Sequence, residues 1–148
     1  MNTEKTDQNK TEFQEYLHAE LTGRVIGVFY DVYNELGYGF LEDVYHRAMI
    51  VALREIGLKV ESKARLPVYF RGQAIAEYEA DILVEGVVIV ELKAAHGLDA
   101  AHEAQLLNYL RATDIELGLL LNFGTRPQVR RRIFDNDRKR SRGEPDLK

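Results

Sequence analysis

Apolar residues recur at Leu21, Val25, Val28, Val32 and Leu36, widened by Ile26, Phe29 and Tyr33, and this three-and-four spacing predicts an amphipathic helix ending at Leu36. Thr22 is the expected cap at its start. Gly37-Tyr38-Gly39 breaks the pattern, and a second stripe at Leu41, Val44, Tyr45, Ala48, Ala52 and Ile56, closed by Gly57, predicts a second helix. From Leu58 the period falls to two. Leu58, Val60, Ser62, Leu66, Val68 and Phe70 read as one face of a strand in which Pro67 implies an edge or a bulge. Arg71-Gly72-Gln73 makes a turn, a second strand covers Ala74 to Val84, and Glu85-Gly86 makes a tight hairpin into a third, Val87 to Ala94. Helical spacing returns at Leu98, Ala101, Ala104, Leu107 and Leu110 with Asp99 as cap, and the GLLLNFG segment marks a further strand over Leu117 to Phe123. Val129, Arg131 and Ile133 alternate before the pattern dissolves.

The order helix, helix, three antiparallel strands, helix, strand divides the chain into a polar, frayed tail over residues 1–12, one domain over 13–134 and a charged tail over 135–148. At 148 residues, 45% hydrophobic and 30% charged, the chain has material for one ordinary core. With no cysteine, disulfides, thiolate metal sites and a cysteine nucleophile drop out together. No apolar run is long enough to span a membrane and no secretory leader is visible, so a cytoplasmic protein is expected. The formal net charge of −4 conceals a split, −9 over residues 1–123 against +6 over 124–142. Such a basic end suits a polyanion, although charge runs are commonly only solvated.

The third strand, VVIVELKA, is apolar enough to be covered on both faces, yet it carries Glu91 and Lys93. Two residues apart, they share one face of the strand. A structural ion pair would explain these two charges and no more. With a two-residue turn at Glu85-Gly86, Val84 pairs with Val87 and Asp81 falls near Val90, one position from Glu91. Twist or a bulge then brings the two carboxylates towards one face. Such a pair repels and raises one pKa unless a cation lies between them, and an oxygen-only donor set suits Mg²⁺ or Mn²⁺.

An Asp followed ten residues later by Glu-x-Lys, here Asp81 and Glu91-Leu92-Lys93, within this order of elements resembles the PD-(D/E)XK nuclease superfamily. Upstream, Gly39-Phe40-Leu41-Glu42-Asp43-Val44-Tyr45 is similar to the GxxExxY pattern that names one family within it. GYGFLEDVY, YEADILVEG, VIVELKA, AQLLNYLRAT and GLLLNFG continue the likeness in order over roughly residues 20–134. The resemblance implies an α/β, restriction-endonuclease-like core: a mixed central sheet flanked by helices, with the antiparallel strands at its heart.

The resemblance further implies that Asp81 and Glu91 ligate Mg²⁺ or Mn²⁺, with the Leu92 carbonyl and the helical Glu42 as further ligands. Lys93 would orient or deprotonate the attacking water, and Gln105 would contact the site from the following helix. Tyr45, His102 and Tyr109 are candidates for supporting positions. The activity so implied is metal-dependent hydrolysis of phosphodiesters, in DNA before RNA, by direct attack of water. The alternative is a noncatalytic module of the same fold that binds nucleic acid or protein. Arg126, Arg130, Arg131 and Arg132 are the expected phosphate contacts. His18, His46, His96 and His102 lack metal-ligand spacing and are read as surface or capping residues. A homodimer is compatible with the sequence but not demanded by it.

Overall fold

A computed structural model describes residues 3–136 and Lys139. The elements run α1 (Thr3–Leu36), α2 (Glu42–Glu55), β1 (Val60–Phe70), β2 (Gln73–Val84), β3 (Val88–Lys93), α3 (Ala100–Ala112), β4 (Leu117–Phe123) and β5 (Pro127–Ile133). Helix α1 starts well before Thr22 and takes in most of the expected N-terminal tail. No glycine or proline interrupts residues 3–22, and Thr22 does not cap: its hydroxyl donates back within the helix to the carbonyls of His18 (2.9 Å) and Ala19 (3.2 Å). Gly37, at φ 69°, ends α1 as anticipated, its N–H reaching the Tyr33 carbonyl at 2.7 Å. Of the expected C-terminal tail, residues 137, 138 and 140–148 lie outside the described residues.

The five strands lie in sequence order, with β3 in the middle and β1 and β5 at the edges. Pairs β1–β2, β2–β3 and β4–β5 are antiparallel, whereas β3 and β4, joined through α3, run parallel. The expected antiparallel meander β1–β3 therefore fills one half of the sheet, reaching its centre at β3, and a second antiparallel pair, β4–β5, forms the other half. The edge expected from Pro67 is β1, with a register shift at Val68/Tyr69. The alternation at Val129, Arg131 and Ile133 belongs to β5, a full strand closing the far edge.

Helices α1 and α2 cover one face. Val28, Phe29, Val32, Tyr45, Met49 and Leu53 pack there on Ile82, Val84, Val88, Val90, Leu92 and the odd-numbered residues of β4. Helix α3 covers the other face, setting Leu106 and Leu110 on Ala64, Leu66, Ala80, Leu83, Ile89 and Leu120. Strand β3 is thus buried from both sides, as its composition requires. One irregularity departs from simple alternation. Ile82 faces α1 and α2 but Ala80 faces α3, and in β1 Ser62 meets His46 of α2 while Ala64 packs beneath α3. Both strands change face between these residues, at Lys63, whose φ is 52°, and at Asp81. The long β1–β2 hairpin thus does not present the single face expected from its period.

Candidate active site

Asp81 lies where both of its ladders lapse. The β1–β2 pairing passes from Ser62–Ile82 to Ala64–Ala80, and the β2–β3 pairing ends at Ile82–Val90. Continuing that register sets Asp81 opposite Glu91, not Val90, because the hairpin connection holds three residues, with Val84 pairing Val88. One position changes the face that a side chain joins, so the longer turn puts the two carboxylates together without needing a bulge. Each then replaces a missing ladder bond. The Asp81 N–H donates to Glu91 Oε1 at 3.2 Å, and the Leu92 N–H donates to Asp81 Oδ2 at 2.8 Å.

Glu91 is 6% exposed. Burial first, then the Asp81 charge, pushes its carboxyl up to about 8, helped by a side-chain hydrogen bond between the two groups; the Asp81 N–H and the Lys93 charge act the other way. Lys93, half-buried, shares the Glu91 face and forms no hydrogen bond or ion pair among the described residues. A cation placed here would relieve the carboxylate repulsion, and the donors are all oxygen. No group of three His, Cys, Asp or Glu residues gathers among the described residues. Two carboxylates nonetheless suit a hard divalent ion, which commonly takes its other ligands from water and substrate oxygens.

The remaining anticipated residues fall into three groups. Tyr109 approaches the carboxylate pair from α3, and Gln105 is tied to Tyr109. Gln105 Nε2 donates to Tyr109 Oη at 3.2 Å, and burial together with the Glu91 and Asp81 charges raises the Tyr109 phenol above its ordinary value. Tyr45 and His102 are committed to structure instead. Tyr45, fully buried, donates its hydroxyl to the Gly37 carbonyl (2.7 Å) and stacks on Phe123 at 4.1 Å. His102 completes the capping box of α3 with Asp99. Glu42 heads α2, exposed and on the layer opposite the face of Glu91. Leu92 buries its side chain on that opposite layer and gives the site its N–H.

The arginines divide. Arg130 and Arg132 both pair with Glu103 of α3, the former at 3.4 Å, whereas Arg126 and Arg131 are exposed. His46 is neither surface nor cap but buried, with Nε2 2.8 Å from Ser62 Oγ.

Sequence reasoning missed a polar clamp behind Lys93. Asn122, wholly buried and paired in register with Lys93, accepts from the Ala95 N–H (2.9 Å) and donates to the Ala95 carbonyl and Gln128 Oε1, both at 3.0 Å. Gln128 Oε1 also accepts from the Leu98 N–H at 3.2 Å. Together they fix the loop that follows the Glu-x-Lys segment. The signal was visible as one amide in the otherwise apolar GLLLNFG.

A model of the PD-(D/E)XK nuclease superfamily matches residues 19–133. The chain belongs to that superfamily. As a PD-(D/E)XK protein it carries its acidic pair and lysine on β2 and β3 of a mixed five-stranded sheet. The fold is also similar to the crystal structure of SSO0001, with a TM-score of 0.51 and 18% identity, covering 63% of this chain and 50% of the other. This PD-(D/E)XK chain therefore spans half the length of that structure. No curated protein matches it.

Proposed function

We propose that this chain is a member of the GxxExxY family acting as a divalent-metal-dependent nuclease on DNA, with Mg²⁺ or Mn²⁺ held by Asp81 and Glu91. The observation that carries this reading is the crossed pair of hydrogen bonds that seats the two acids face to face, with Lys93 on the same side. A bound divalent ion supplies charge neutralisation at the phosphate and a more acidic water. The residues supply the rest. Asp81 and Glu91 accept backbone N–H groups, so their positions are set before any ligand arrives. Lys93 brings positive charge to a phosphoryl group as negative charge grows on it, and its ammonium orients the incoming water. Asn122 holds the following peptide so that Lys93 keeps its place. Arg126 and Arg131, exposed and not engaged by Glu103, are the phosphate-backbone contacts.

The test is incubation of the purified chain with linear, nicked, branched and single-stranded DNA in Mg²⁺ or Mn²⁺, beside Asp81→Asn and Lys93→Ala. Metal-dependent cleavage that Asp81→Asn abolishes and Lys93→Ala slows about 10²-fold or more supports the reading. Binding without cleavage, indifferent to both substitutions, replaces it with a noncatalytic module.

A further inference from the structure

Tyr78 of β2 and Tyr109 of α3 make the one close ring pair that joins these elements among the described residues, with centroids 4.6 Å apart and planes tilted by 40°. Tyr78 stands three residues before Asp81 on the part of β2 turned towards α3. Tyr109 lies close enough to Asp81 and Glu91 to feel both charges, and its hydroxyl is held by Gln105. Neither ring is sealed into the core, as Tyr45 is: both are only half-buried. Tyr109 also packs on the core beneath α3, but both rings keep part of their surface exposed on the side of the sheet that carries the acids. A nucleic acid laid against the acids has its bases within reach of that surface.

We propose, building on the nuclease reading, that Tyr78 and Tyr109 form a base-stacking subsite beside the carboxylate pair, and that the nucleotide next to the cleaved bond is presented unpaired, as in single-stranded DNA. Stacking on an aromatic ring uses the π-face common to every base, so the subsite accepts any base. A base inside a duplex already stacks on its neighbours and offers that face only after unstacking, which costs free energy that a single strand does not spend. Tyr78 and Tyr109 thereby select strand state rather than sequence.

The experiment uses the full chain carrying Asp81→Asn, which keeps the DNA intact, and an oligonucleotide with one 2-aminopurine, as a single strand, as a duplex and with the base replaced by an abasic site. The single strand should bind with quenched fluorescence, and about tenfold tighter than its abasic counterpart. Adding Tyr78→Leu or Tyr109→Leu should remove the quenching and cost about tenfold in affinity, while Tyr78→Phe restores both. Equal binding of the abasic strand, or quenching indifferent to the leucine variants, overturns the subsite. If wild-type protein cleaves no DNA but the quenching follows this pattern, the nuclease reading falls and the subsite stands. If it cleaves duplex DNA and the leucine variants cleave as well as wild type, the subsite falls and the nuclease stands.

Discussion

Asp81 and Glu91 are tied to each other's strands: the Asp81 N–H donates to Glu91 Oε1, and the Asp81 carboxylate accepts from Leu92, the residue after Glu91. Two like charges are thereby held together by the backbone that presents them, and the repulsion between them is stored in the fold until a proton or a cation removes it.

Stability without metal should fall as pH rises. The Glu91 carboxyl titrates near 8 in the folded chain against an ordinary 4.5, so between these values the folded state binds a proton that the unfolded state does not. Its contribution is complete below about 4.5 and is lost as pH climbs through about 8. A loss on the order of a few kcal/mol corresponds to a drop of roughly 5–10 °C in Tm between pH 5 and 9. Glu91→Gln should flatten the profile, and a melting series in chelator checks both.

Divalent cation should reverse that loss and expel protons. At pH 7 the neutral Glu91 must ionise to bind Mg²⁺, so calorimetric titrations in buffers of different ionisation enthalpy should show close to one proton released per ion. Asp81→Asn should raise Tm in chelator at pH 8 by about 3 °C, because the amide oxygen can still accept from Leu92 while the repulsion is gone, and should abolish the proton release.

Removing the Asn122 amide should damage both stability and the site. Asn122→Ala removes a wholly buried amide and leaves the half-buried Ala95 N–H and carbonyl without their partner, an expected cost of about 1–3 kcal/mol in urea unfolding. Cleavage under conditions where the variant remains folded should drop further than its folded fraction, since the loop after Lys93 loses its anchor.

Gly124→Ala should be worse tolerated than Gly118→Ala. A Cβ at Gly124 would sit 2.5 Å from the Ala95 carbonyl oxygen and 2.9 Å from Asn122 Nδ2, whereas at Gly118 it would meet the Leu106 side chain at 2.6 Å. A leucine terminus can rotate at a cost of about 1–3 kcal/mol; the backbone oxygen can yield only by moving the loop. Denaturation midpoints of the two variants decide this.

Glu103→Gln should strengthen DNA binding. Glu103 engages both Arg130 and Arg132, so neutralising it frees two guanidinium groups for phosphate. Binding should tighten roughly two- to fivefold at low salt, an advantage that shrinks as salt rises. Arg131→Ala should weaken binding in the wild-type background more than Arg130→Ala does.

Local patterning was enough to specify most elements of this protein. The Asp99 cap of α3 and the apolar run of β3 each follow from side chains a few residues apart, and the charged pair in a strand buried on both sides announced the site. Helix α2 forms where its three-and-four spacing predicted, but it buries Tyr45, His46, Met49, Ile50 and Leu53 and leaves Leu41, Val44 and Ile56 exposed. What the linear pattern could not decide depended on single residues of register and on distant partners. One additional residue in the β2–β3 connection determines that the acids meet, and a face change at Lys63 and Asp81 determines which layer the rest of the β1–β2 hairpin covers. Tyr78 reaches Tyr109 across 31 positions, Asn122 reaches back to Ala95, and Glu103 claims two arginines that sequence alone assigned to DNA. Helix and strand periods are set by neighbours along the chain, whereas pairing across a sheet, and every contact between its layers, is set by the packing of the whole.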